Sequence, residues 1–416
     1  MPISFGKNTD KVMKYIQACI DLTDKGKTGI VLTGQNIFEF ERSLFVLGRL
    51  INISSFSSNS ALKRNIIKRA IGIVKDSGKI TPSMVLKILE IERNNILETE
   101  HKKFIIAFQF IIREKYFSRK QITVDGIKFK VASKYNFFKN FENPAKAMIG
   151  YTDVSDSLKK NYLILYTDYL APNYEMAFEE VKSRFEVMRG LLNLALKYHK
   201  IMLFHIGRPT PNAVVRPPKF FLIYSDQKKL QTFYYTLEQY IEPELTLEKN
   251  RLDFFYKLIR QYNQKKDSPI KRVFEDTVKL YVSSLDSYDG KYALLHLWQV
   301  LEILTLKDVE NISEKKVCQR VKSIYNYDTL VSDIIDSLYE KRNSMVHGSI
   351  DVSIDDTDLQ LLREIVEELI LFLFNHINSI DSRQKLNYFY ENIPLGTIQL
   401  EEKLETINYV KKLKNH

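Results

Sequence analysis

Residues 329–348, TLVSDIIDSLYEKRNSMVHG, carry the pattern on which the fold of the C-terminal part depends. At about 100° per residue, the apolar side chains fall on one stripe, which contains Val331, Ile335, Leu338 and Met345. The position that would continue this stripe between Leu338 and Met345 is occupied by Arg342. The pattern therefore predicts a helix that packs against other helices on one side, with an arginine at the edge of the packed face.

The segments on either side have the same helical periodicity and are joined by short polar connections. They predict helices at Pro269–Ser284, Tyr292–Lys307, Ser313–Tyr325 and Thr357–Asn378. Short connections are typical of antiparallel neighbours, so residues 266–380 are predicted to form an all-α helical bundle. Residues 381–416, which are rich in lysine near their end, are predicted to form a basic helical tail that packs partly back.

Upstream of residue 266, the spacing of the apolar residues changes. Residues 1–118 are predicted to be an N-terminal helical region, with helical spacing at Lys63–Val74 and Met84–Ile91 and one short strand at Gly29–Thr33. The pair Asp125-Gly126 between two alternating runs is a strong signal for a two-residue β-hairpin. Further strands are predicted at Tyr162–Tyr166, Phe220–Tyr224 and Leu230–Tyr235. The predicted fold class is thus mainly α, with a smaller mixed α/β region at 119–265.

A long helix is predicted in this middle region at Tyr174–Phe204, and it carries Arg189 and Asn193 four residues apart. Such a pair is either a satisfied polar contact within a helical core or part of a functional site. A basic, proline-rich loop follows and contains Arg208 and Arg216. Because proline cannot donate to a strand ladder, we expect a stiff loop whose arginines are candidate contacts to nucleic acid.

The composition restricts the class of protein before any site is considered. The chain has 416 residues, of which 44% are hydrophobic and 12% aromatic, so it is long enough for two or three domains with real cores. Its net charge of +11 suits a polyanionic partner such as RNA, DNA or anionic lipid. A sequence rich in lysine, asparagine and isoleucine is also typical of an A+T-rich genome, so charge alone does not identify a partner.

Sequence motifs for cofactors, metals and export are missing. The two cysteines, Cys19 and Cys318, are far apart and form no C-x-x-C pair, which argues against a disulfide framework, a zinc finger or an iron–sulfur cluster. Phosphate-loop, dinucleotide-binding and zinc-protease motifs do not occur, so we expect neither a metal nor a cofactor. The N-terminus does not read as a signal peptide, and the apolar runs are too short to cross a bilayer. We expect a soluble, cytoplasmic protein.

The helix predicted at residues 329–348 also has a polar stripe, which contains Asp336, Glu340, Asn343 and His347. Arg342 and His347 are about 140° apart around the helix and roughly 7.5 Å apart along it, so both side chains can reach one phosphate. An imidazole exchanges protons near neutral pH, whereas a guanidinium stays charged and binds two phosphate oxygens. This pair suits metal-free RNA cleavage by the 2′-hydroxyl. The alternative is a helix-end histidine beside a surface arginine, with Gly348 as the helix stop.

The same residues resemble a known family. Residues 342–347, RNSMVH, resemble the R-x4-H motif of HEPN ribonucleases, including the polar residue directly after the arginine, and residues 340–348 resemble the Apea-like branch. The segment Leu297–Leu304 resembles the glutamate-bearing helix upstream of the motif in that branch, and Leu359–Phe374 resembles the apolar helix that follows it. The resemblance covers about Pro269–Asn378 only.

The resemblance implies a homodimer in which two motif helices face each other across a two-fold axis and line one positively charged cleft. It makes His347 the acid and base, Arg342 the phosphate ligand, and Asn343 the residue that positions the partner helix or the substrate. Glu302 is expected to pair with Arg342 and orient it, because an unpaired carboxylate in an apolar helix is costly; alternatively it borders solvent or caps another polar group. Further candidate substrate contacts are Glu340, Lys341, Arg208 and Arg216.

The function that the resemblance implies is that of a metal-independent endoribonuclease, which leaves a 2′,3′-cyclic phosphate and a 5′-hydroxyl. The family is associated with antiphage defence and abortive infection, so the chain is expected to be a toxin-like effector. Its N-terminal regions would sense a trigger or restrain the nuclease. The main alternative is a non-catalytic HEPN-type module that binds RNA or a protein and dimerises. Another is a toxin silenced by a separate antitoxin, with modification at or near Tyr339.

Overall fold

The computed structural model of this chain describes residues 3–24, 30–32, 36–53, 60–78, 80–110, 112, 117, 119–144, 163–197, 215–235, 249–287, 289–306, 312–347 and 353–414. Within these ranges the chain forms fourteen α-helices and eight β-strands. It is mainly α with a small sheet region in the middle, and the described residues of its C-terminal part are all helical or connecting. The predicted fold class is therefore confirmed.

The N-terminal helices have a hydrophobic core of their own. Strands β1 (Ile3–Ser4) and β2 (Asn52–Ile53) pair antiparallel within this unit. Its helices are α1 (Thr9–Asp21), α2 (Asn36–Leu50), α3 (Ser60–Ser77) and α4 (Pro82–Glu98). Helices α3 and α4 confirm the two helical segments that the sequence predicts here. The predicted strand at 29–33 lies partly outside the described residues, and its described part, residues 30–32, is not in a strand.

The middle of the chain forms a six-stranded antiparallel sheet in the order β4-β5-β6-β3-β7-β8. Its strands are β3 (Lys102–Phe110), β4 (Gln121–Val124), β5 (Ile127–Ser133), β6 (Leu163–Ala171), β7 (Phe220–Ser225) and β8 (Leu230–Tyr235). The predicted hairpin is confirmed, because Val124 pairs with Ile127 and the turn residues Asp125 and Gly126 have φ of 47° and 84°. Positive φ at both residues is typical of a tight hairpin turn.

The central strand of the sheet, β3, was not predicted and lies within the region 1–118 that the sequence indicates to be helical. Its residues 104–110 are buried without interruption. Phe104, Ile106 and Phe108 belong to the main core on one face, whereas Ile105 and Ala107 belong to a separate cluster on the other. A strand covered on both faces is apolar throughout and has no two-residue alternation, which is why its type could not be determined from periodicity.

Two helices accompany the sheet: α5 (Lys134–Phe138) follows β5, and α6 (Tyr174–Lys197) packs on one face. The remaining helices are α7 (Lys249–Asn263), α8 (Pro269–Asp286), α9 (Gly290–Leu304), α10 (Glu314–Ile324), α11 (Thr329–Val346) and α12 (Asp356–His376). The five helices predicted for residues 266–380 are thus confirmed. Helix α6 packs against α7 and α8, and α9 packs against α8 and α12. One hydrophobic core runs from the sheet into these helices, so it continues across the predicted boundary at residue 265.

The C-terminal tail consists of two helices with different surroundings, α13 (Arg383–Asn392) and α14 (Thr397–Lys414). Helix α13 buries Leu386 and Tyr390, and the Tyr390 hydroxyl donates to the Leu304 carbonyl at 3.0 Å. Helix α14 buries none of its residues. The prediction that the tail packs partly back is confirmed for α13 only.

Candidate functional site

Helix α11 is the element that positions the predicted site residues. It begins after Asp328, whose side chain accepts a hydrogen bond from the Val331 N–H at 3.0 Å, as an N-cap does. Ile335 and Leu338 are buried, and the partly buried Met345 packs against the same core. The apolar stripe predicted from the sequence is therefore the packed face of α11, and Arg342 follows it at the edge of that face.

The Arg342 guanidinium is held between two carboxylates that come from two other helices. Its Nη2 lies 3.1 Å from Oε1 of Glu302 on α9 and 2.7 Å from Oε1 of Glu314 on α10. Its Nη1 donates to Oδ1 of Asn343 at 3.1 Å. The side chains of Arg342, Glu302 and Glu314 are 15%, 11% and 18% exposed. The expected pairing of Glu302 with Arg342 is confirmed, and the guanidinium is fixed at a site that water still reaches.

Glu314 was not predicted as part of the site, and local interactions explain its position. Ser313 caps α10 by accepting from the Lys316 N–H, so Glu314 is the first residue of that helix, where the helix dipole favours an acidic side chain. The buried Trp298 donates from Nε1 to Oε2 of Glu314 at 3.4 Å. One carboxylate oxygen of Glu314 thus contacts the indole and the other contacts Arg342. The capping serine and the acidic first turn were visible in the sequence, but the pairing with Arg342 was not.

His347 lies at the end of α11, where its backbone N–H donates to the Asn343 carbonyl at 2.9 Å. Its side chain is exposed, whereas Arg342 is largely covered. Within the described part of the chain, the contacts of Arg342 are with Glu302, Glu314 and Asn343. The two residues of the predicted site therefore lie toward the same end of α11, with Arg342 largely covered and His347 exposed. Gly348, the predicted helix stop, lies outside the described residues.

Lys341 and Glu340, two of the candidate substrate contacts, have different environments. The Lys341 ammonium forms an ion pair with both carboxylate oxygens of Asp358 at 2.5 and 2.6 Å. Asp358 is part of the capping box with Asp355 that begins α12, and the hydrogen bond from the Asp358 N–H lowers the pKa of Asp355. Lys341 thus ties α11 to α12. Glu340 is exposed on α11.

Of the two arginines predicted in the proline-rich loop, Arg216 lies within the described residues. Arg208 lies outside the described residues. Arg216 is only 6% exposed, and its Nη1 lies 3.5 Å from the Leu285 carbonyl at the end of α8. Arg216 therefore faces the interior between the sheet region and α8, and this position does not support a contact with substrate.

The pair Arg189 and Asn193 on α6 is a satisfied polar contact of the core. Asn193 donates from Nδ2 to the Val215 carbonyl at 3.0 Å and accepts from the Val215 N–H at 2.9 Å. Arg189 forms ion pairs with Glu186 and Asp286, both at 2.6 Å. Of the two alternatives left open by the sequence, the structure therefore supports the satisfied polar contact and not a functional site.

Comparison of the chain with models of protein families, with curated protein sequences and with solved structures found no match. The resemblance to HEPN ribonucleases therefore rests on the motif residues and on the helices that carry them. None of the described helices is both long and apolar enough to cross a membrane. Within the described ranges, no three histidine, cysteine or acidic side chains lie together in a way that would hold a metal ion.

Proposed function

We propose that the chain is a metal-independent endoribonuclease of the HEPN type, in which Arg342 and His347 act on one phosphate of an RNA strand. The observation that carries the proposal is the position of Arg342. Two carboxylates from other helices, Glu302 and Glu314, fix its guanidinium at 3.1 and 2.7 Å at the end of α11 that also carries an exposed histidine. A fixed guanidinium and an accessible imidazole are the two groups that this chemistry needs.

Cleavage of this kind moves two protons and shifts charge onto the phosphate. The 2′-hydroxyl loses a proton as its oxygen attacks phosphorus, and the leaving 5′-oxygen gains one, so the products are a 2′,3′-cyclic phosphate and a 5′-hydroxyl. The imidazole of His347 is suited to both transfers, and the Arg342 guanidinium can stabilise the charge on the non-bridging oxygens. Two copies facing each other would bring both Arg342–His347 sets into one cleft, which is how we propose that a homodimer forms the site.

The two carboxylates beside Arg342 have opposite effects on this function. They orient the guanidinium, but they also offset its positive charge and so weaken its attraction for a phosphate. Glu314 is the more exposed of the two, with 18% of its side chain accessible against 11% for Glu302. We therefore assign Glu302 as the residue that keeps Arg342 oriented and Glu314 as the one that a bound phosphate displaces.

The experiment that tests the proposal incubates the purified chain with total cellular RNA in EDTA. We expect cleavage by the wild-type chain, loss of cleavage by at least about 100-fold in His347→Ala, and cyclic phosphate at the new ends. The matched control is His376→Ala, because His376 is also an exposed histidine at the end of a helix of this bundle. Equal cleavage by wild type and His347→Ala would refute the assignment.

A mixing experiment tests whether the site is shared between two copies. His347→Ala and Arg342→Ala chains, each inactive alone, are combined at equal concentration. If each site draws its arginine from one copy and its histidine from the other, a mixed dimer regains one intact site and part of the activity. An active enzyme that stays monomeric at the assay concentration would contradict the shared site.

We further propose that the chain acts on host or phage RNA in the cytoplasm as a toxin-like effector of antiphage defence, with the N-terminal regions sensing a trigger or restraining the nuclease. This role is supported by the resemblance of the motif alone. Expression in growing bacteria tests it: the wild-type chain should slow growth and fragment RNA during phage infection, and His347→Ala should do neither. Equal growth and phage yield for both would contradict it.

A second candidate function is a non-catalytic HEPN-type module that binds RNA or a partner protein. It is favoured by the same ion pairs, because an arginine between Glu302 and Glu314 has the features of a structural contact that joins three helices. The EDTA assay separates the two functions. A module of this class would bind RNA without producing cyclic phosphate ends, and His347→Ala would leave its binding unchanged.

A further inference from the structure

The charges around the Arg342 guanidinium leave it with little net attraction for a phosphate. One guanidinium lies between two carboxylates, those of Glu302 and Glu314, so the three side chains together carry a formal charge of −1. A second cationic group at the same end of α11 is therefore needed to attract a phosphate. Lys341 does not provide it, because its ammonium is paired with both carboxylate oxygens of Asp358 on α12.

Two ion pairs define how α10 and α11 lie beside each other. Nζ of Lys322 on α10 is 2.7 Å from both carboxylate oxygens of Asp336 on α11. At the other end of the contact, Glu314 of α10 is 2.7 Å from Arg342 of α11. Residue numbers fall along α10 as they rise along α11, so the two helices are antiparallel. The two contacts together fix the register of the pair.

This register places Lys315 of α10 opposite the polar stripe of α11. Lys315 is seven residues before Lys322, and seven residues are two helical turns to within about 20°, so both lysines lie on the side of α10 that faces α11. The same spacing separates Asp336 from Asn343 on α11. Because the helices are antiparallel, Lys315 lies opposite Asn343, one turn of α11 away from His347.

The side chains of Lys315 and His347 extend toward the same space. A side chain on an α-helix leans toward the N-terminus of that helix. Lys315 is in the first turn of α10, so it leans toward the end of α11 that carries His347. Lys315 is exposed, and among the described residues its ammonium has no ion-pair or hydrogen-bond partner. This ammonium is therefore available to a ligand that approaches His347.

We propose that Lys315 binds a phosphate of the RNA strand beside His347 and so provides the cation that the Arg342 site lacks. The inference rests on the proposed nuclease function and adds a residue to the same site. An ammonium on a flexible stem attracts a phosphate as a point charge, whereas the Arg342 guanidinium is held in place by two carboxylates. Lys315 thus contributes affinity for the strand, and proton transfer stays with His347.

Lys316 provides a matched control for Lys315. It is the next residue of α10 and is also exposed, but it lies about 100° further round the helix, on the side away from α11. Lys315→Gln and Lys316→Gln remove the same charge from the same helical turn, so any general attraction of the chain for RNA should change equally in both. Lys315→Arg keeps the charge and tests whether a cation is what the position requires.

RNA affinity in the His347→Ala chain separates the two lysines. Fluorescence anisotropy is measured in EDTA over a range of salt concentrations with a labelled single-stranded oligoribonucleotide of about 12 nucleotides. We expect Lys315→Gln to bind at least about fivefold more weakly and to lower the slope of log Kd against log salt concentration by about 0.7, the value for one phosphate contact. Lys316→Gln and Lys315→Arg should bind within about twofold of the parent chain. Unchanged affinity in Lys315→Gln, or an equal loss in Lys316→Gln, would overturn the proposal.

Cleavage kinetics distinguish this inference from the function on which it rests. With His347 in place, Lys315→Gln should raise KM at least about fivefold and change kcat by less than about twofold, because the phosphate contact is made in the ground state and in the transition state alike. If the wild-type chain cleaves through His347 but KM is unchanged in Lys315→Gln, the inference fails and the nuclease function stands. If the wild-type chain does not cleave RNA, the nuclease function fails, and the affinity measurements still decide whether Lys315 contacts a phosphate.

Discussion

Arg189 and Arg342 each lie between two carboxylates, in two regions of the molecule that water reaches to different degrees. The Arg189 side chain is 2% exposed and bonds to Glu186 and Asp286, both at 2.6 Å, where α6 crosses α8. The Arg342 side chain is 15% exposed and joins α11 to α9 and α10. The same chemical group is thus enclosed in one region and borders solvent in the other. The two arginines thus differ in their exposure to solvent and not in the kind of ion pair that they form.

In the region around Arg189, burial and the ion pairs shift the pKa of Asp286 and of Arg189 itself. Burial raises the pKa of Asp286, and the nearby Arg189 only partly offsets that effect. Burial also disfavours the charged form of Arg189, but Glu186 and Asp286 outweigh this and raise the pKa of the guanidinium. Arg189 thus lowers the pKa of Asp286 against the effect of burial, as Arg216 also does, and this makes Arg189 the stronger test of the comparison.

The largest effect is expected for Arg189→Met. Removal of the guanidinium, whose side chain is 2% exposed, leaves Glu186 and Asp286 without this partner at side-chain exposures of 17% and 15%, which costs about 3 kcal/mol of the free energy of unfolding. Arg342→Met is the matched control, because the Arg342 side chain is itself 15% exposed and its charge is partly solvated, and we expect a loss of about 1–2 kcal/mol. Urea unfolding of both variants measures the difference. Equal losses would mean that exposure does not distinguish the two regions.

The pH dependence of the Arg189→Met variant sharpens this test. Without Arg189, the pKa of Asp286 should rise further above that of an unfolded aspartate. Between the pKa of unfolded Asp286 and its higher folded-state pKa, the folded state holds a proton that the unfolded state has released. The contribution of Asp286 to stability is therefore greatest below the unfolded-state pKa and is lost as the pH rises through the folded-state pKa. The loss should therefore be smaller in mildly acidic buffer than in mildly alkaline buffer. Arg189→Met/Asp286→Asn should not show this dependence.

A smaller effect is expected for Gly190→Ala at the same helix crossing. A Cβ at residue 190 would lie 2.3 Å from Cγ1 and 3.0 Å from the backbone oxygen of Val278 on α8. The valine side chain can rotate, but the backbone oxygen cannot move without shifting α8, so we expect a loss of about 1–3 kcal/mol. Thermal unfolding measures it.

Gly48→Ala is the control for this substitution. Its Cβ would lie 3.6 Å from Cγ of Arg64, an ordinary contact, so the better helix propensity of alanine should stabilise α2 by up to about 1 kcal/mol. If Gly190→Ala also stabilises the chain, then α6 and α8 can move apart, and the enclosed region is less rigid than its ion pairs suggest.

The sequence predicts the local features of this chain better than its long-range contacts. The turn at Asp125-Gly126 was predictable because only a few residue pairs favour positive φ twice in succession. Strand β3 was not, because a run buried on both faces lacks the alternation that separates strand from helix. The pairing of Glu302 with Arg342 could be inferred because a carboxylate in an apolar helix needs a partner. Glu314 is the only acidic residue of α10, and Asp286 is the last residue of α8. Each pairs with an arginine of another helix that is distant in sequence, so nothing local marked them as the partners.

The smallest effects are expected for the two carboxylates of the exposed region, taken singly. Arg342 keeps one partner in Glu302→Gln and the other in Glu314→Gln, so each variant should lose less than about 1 kcal/mol of stability. The double variant leaves the guanidinium without a carboxylate partner and should lose more than the sum of the two, with a coupling of about 0.5–1 kcal/mol measured by urea unfolding. The control is Asp336→Asn. Asp336 lies on α11, like Arg342, but pairs with Lys322 of α10, so this variant should show no coupling with either of the other two. Additive losses would indicate that water replaces the missing carboxylates and that Arg342 is not fixed by them.

The same two variants separate structure from function at Arg342. If Glu314 is the carboxylate that a phosphate displaces, Glu314→Gln should bind RNA several-fold more tightly, because a negative charge beside the bound phosphate has been removed. Glu302→Gln should instead lower the cleavage rate with little change in affinity, because the guanidinium loses the contact that orients it. Affinity is measured by fluorescence anisotropy with the His347→Ala substitution in every chain, so that cleavage does not interfere. If both variants bind RNA with the same affinity as the His347→Ala parent, neither carboxylate competes with RNA, and Arg342 would then be a structural residue like Arg189 despite its exposure.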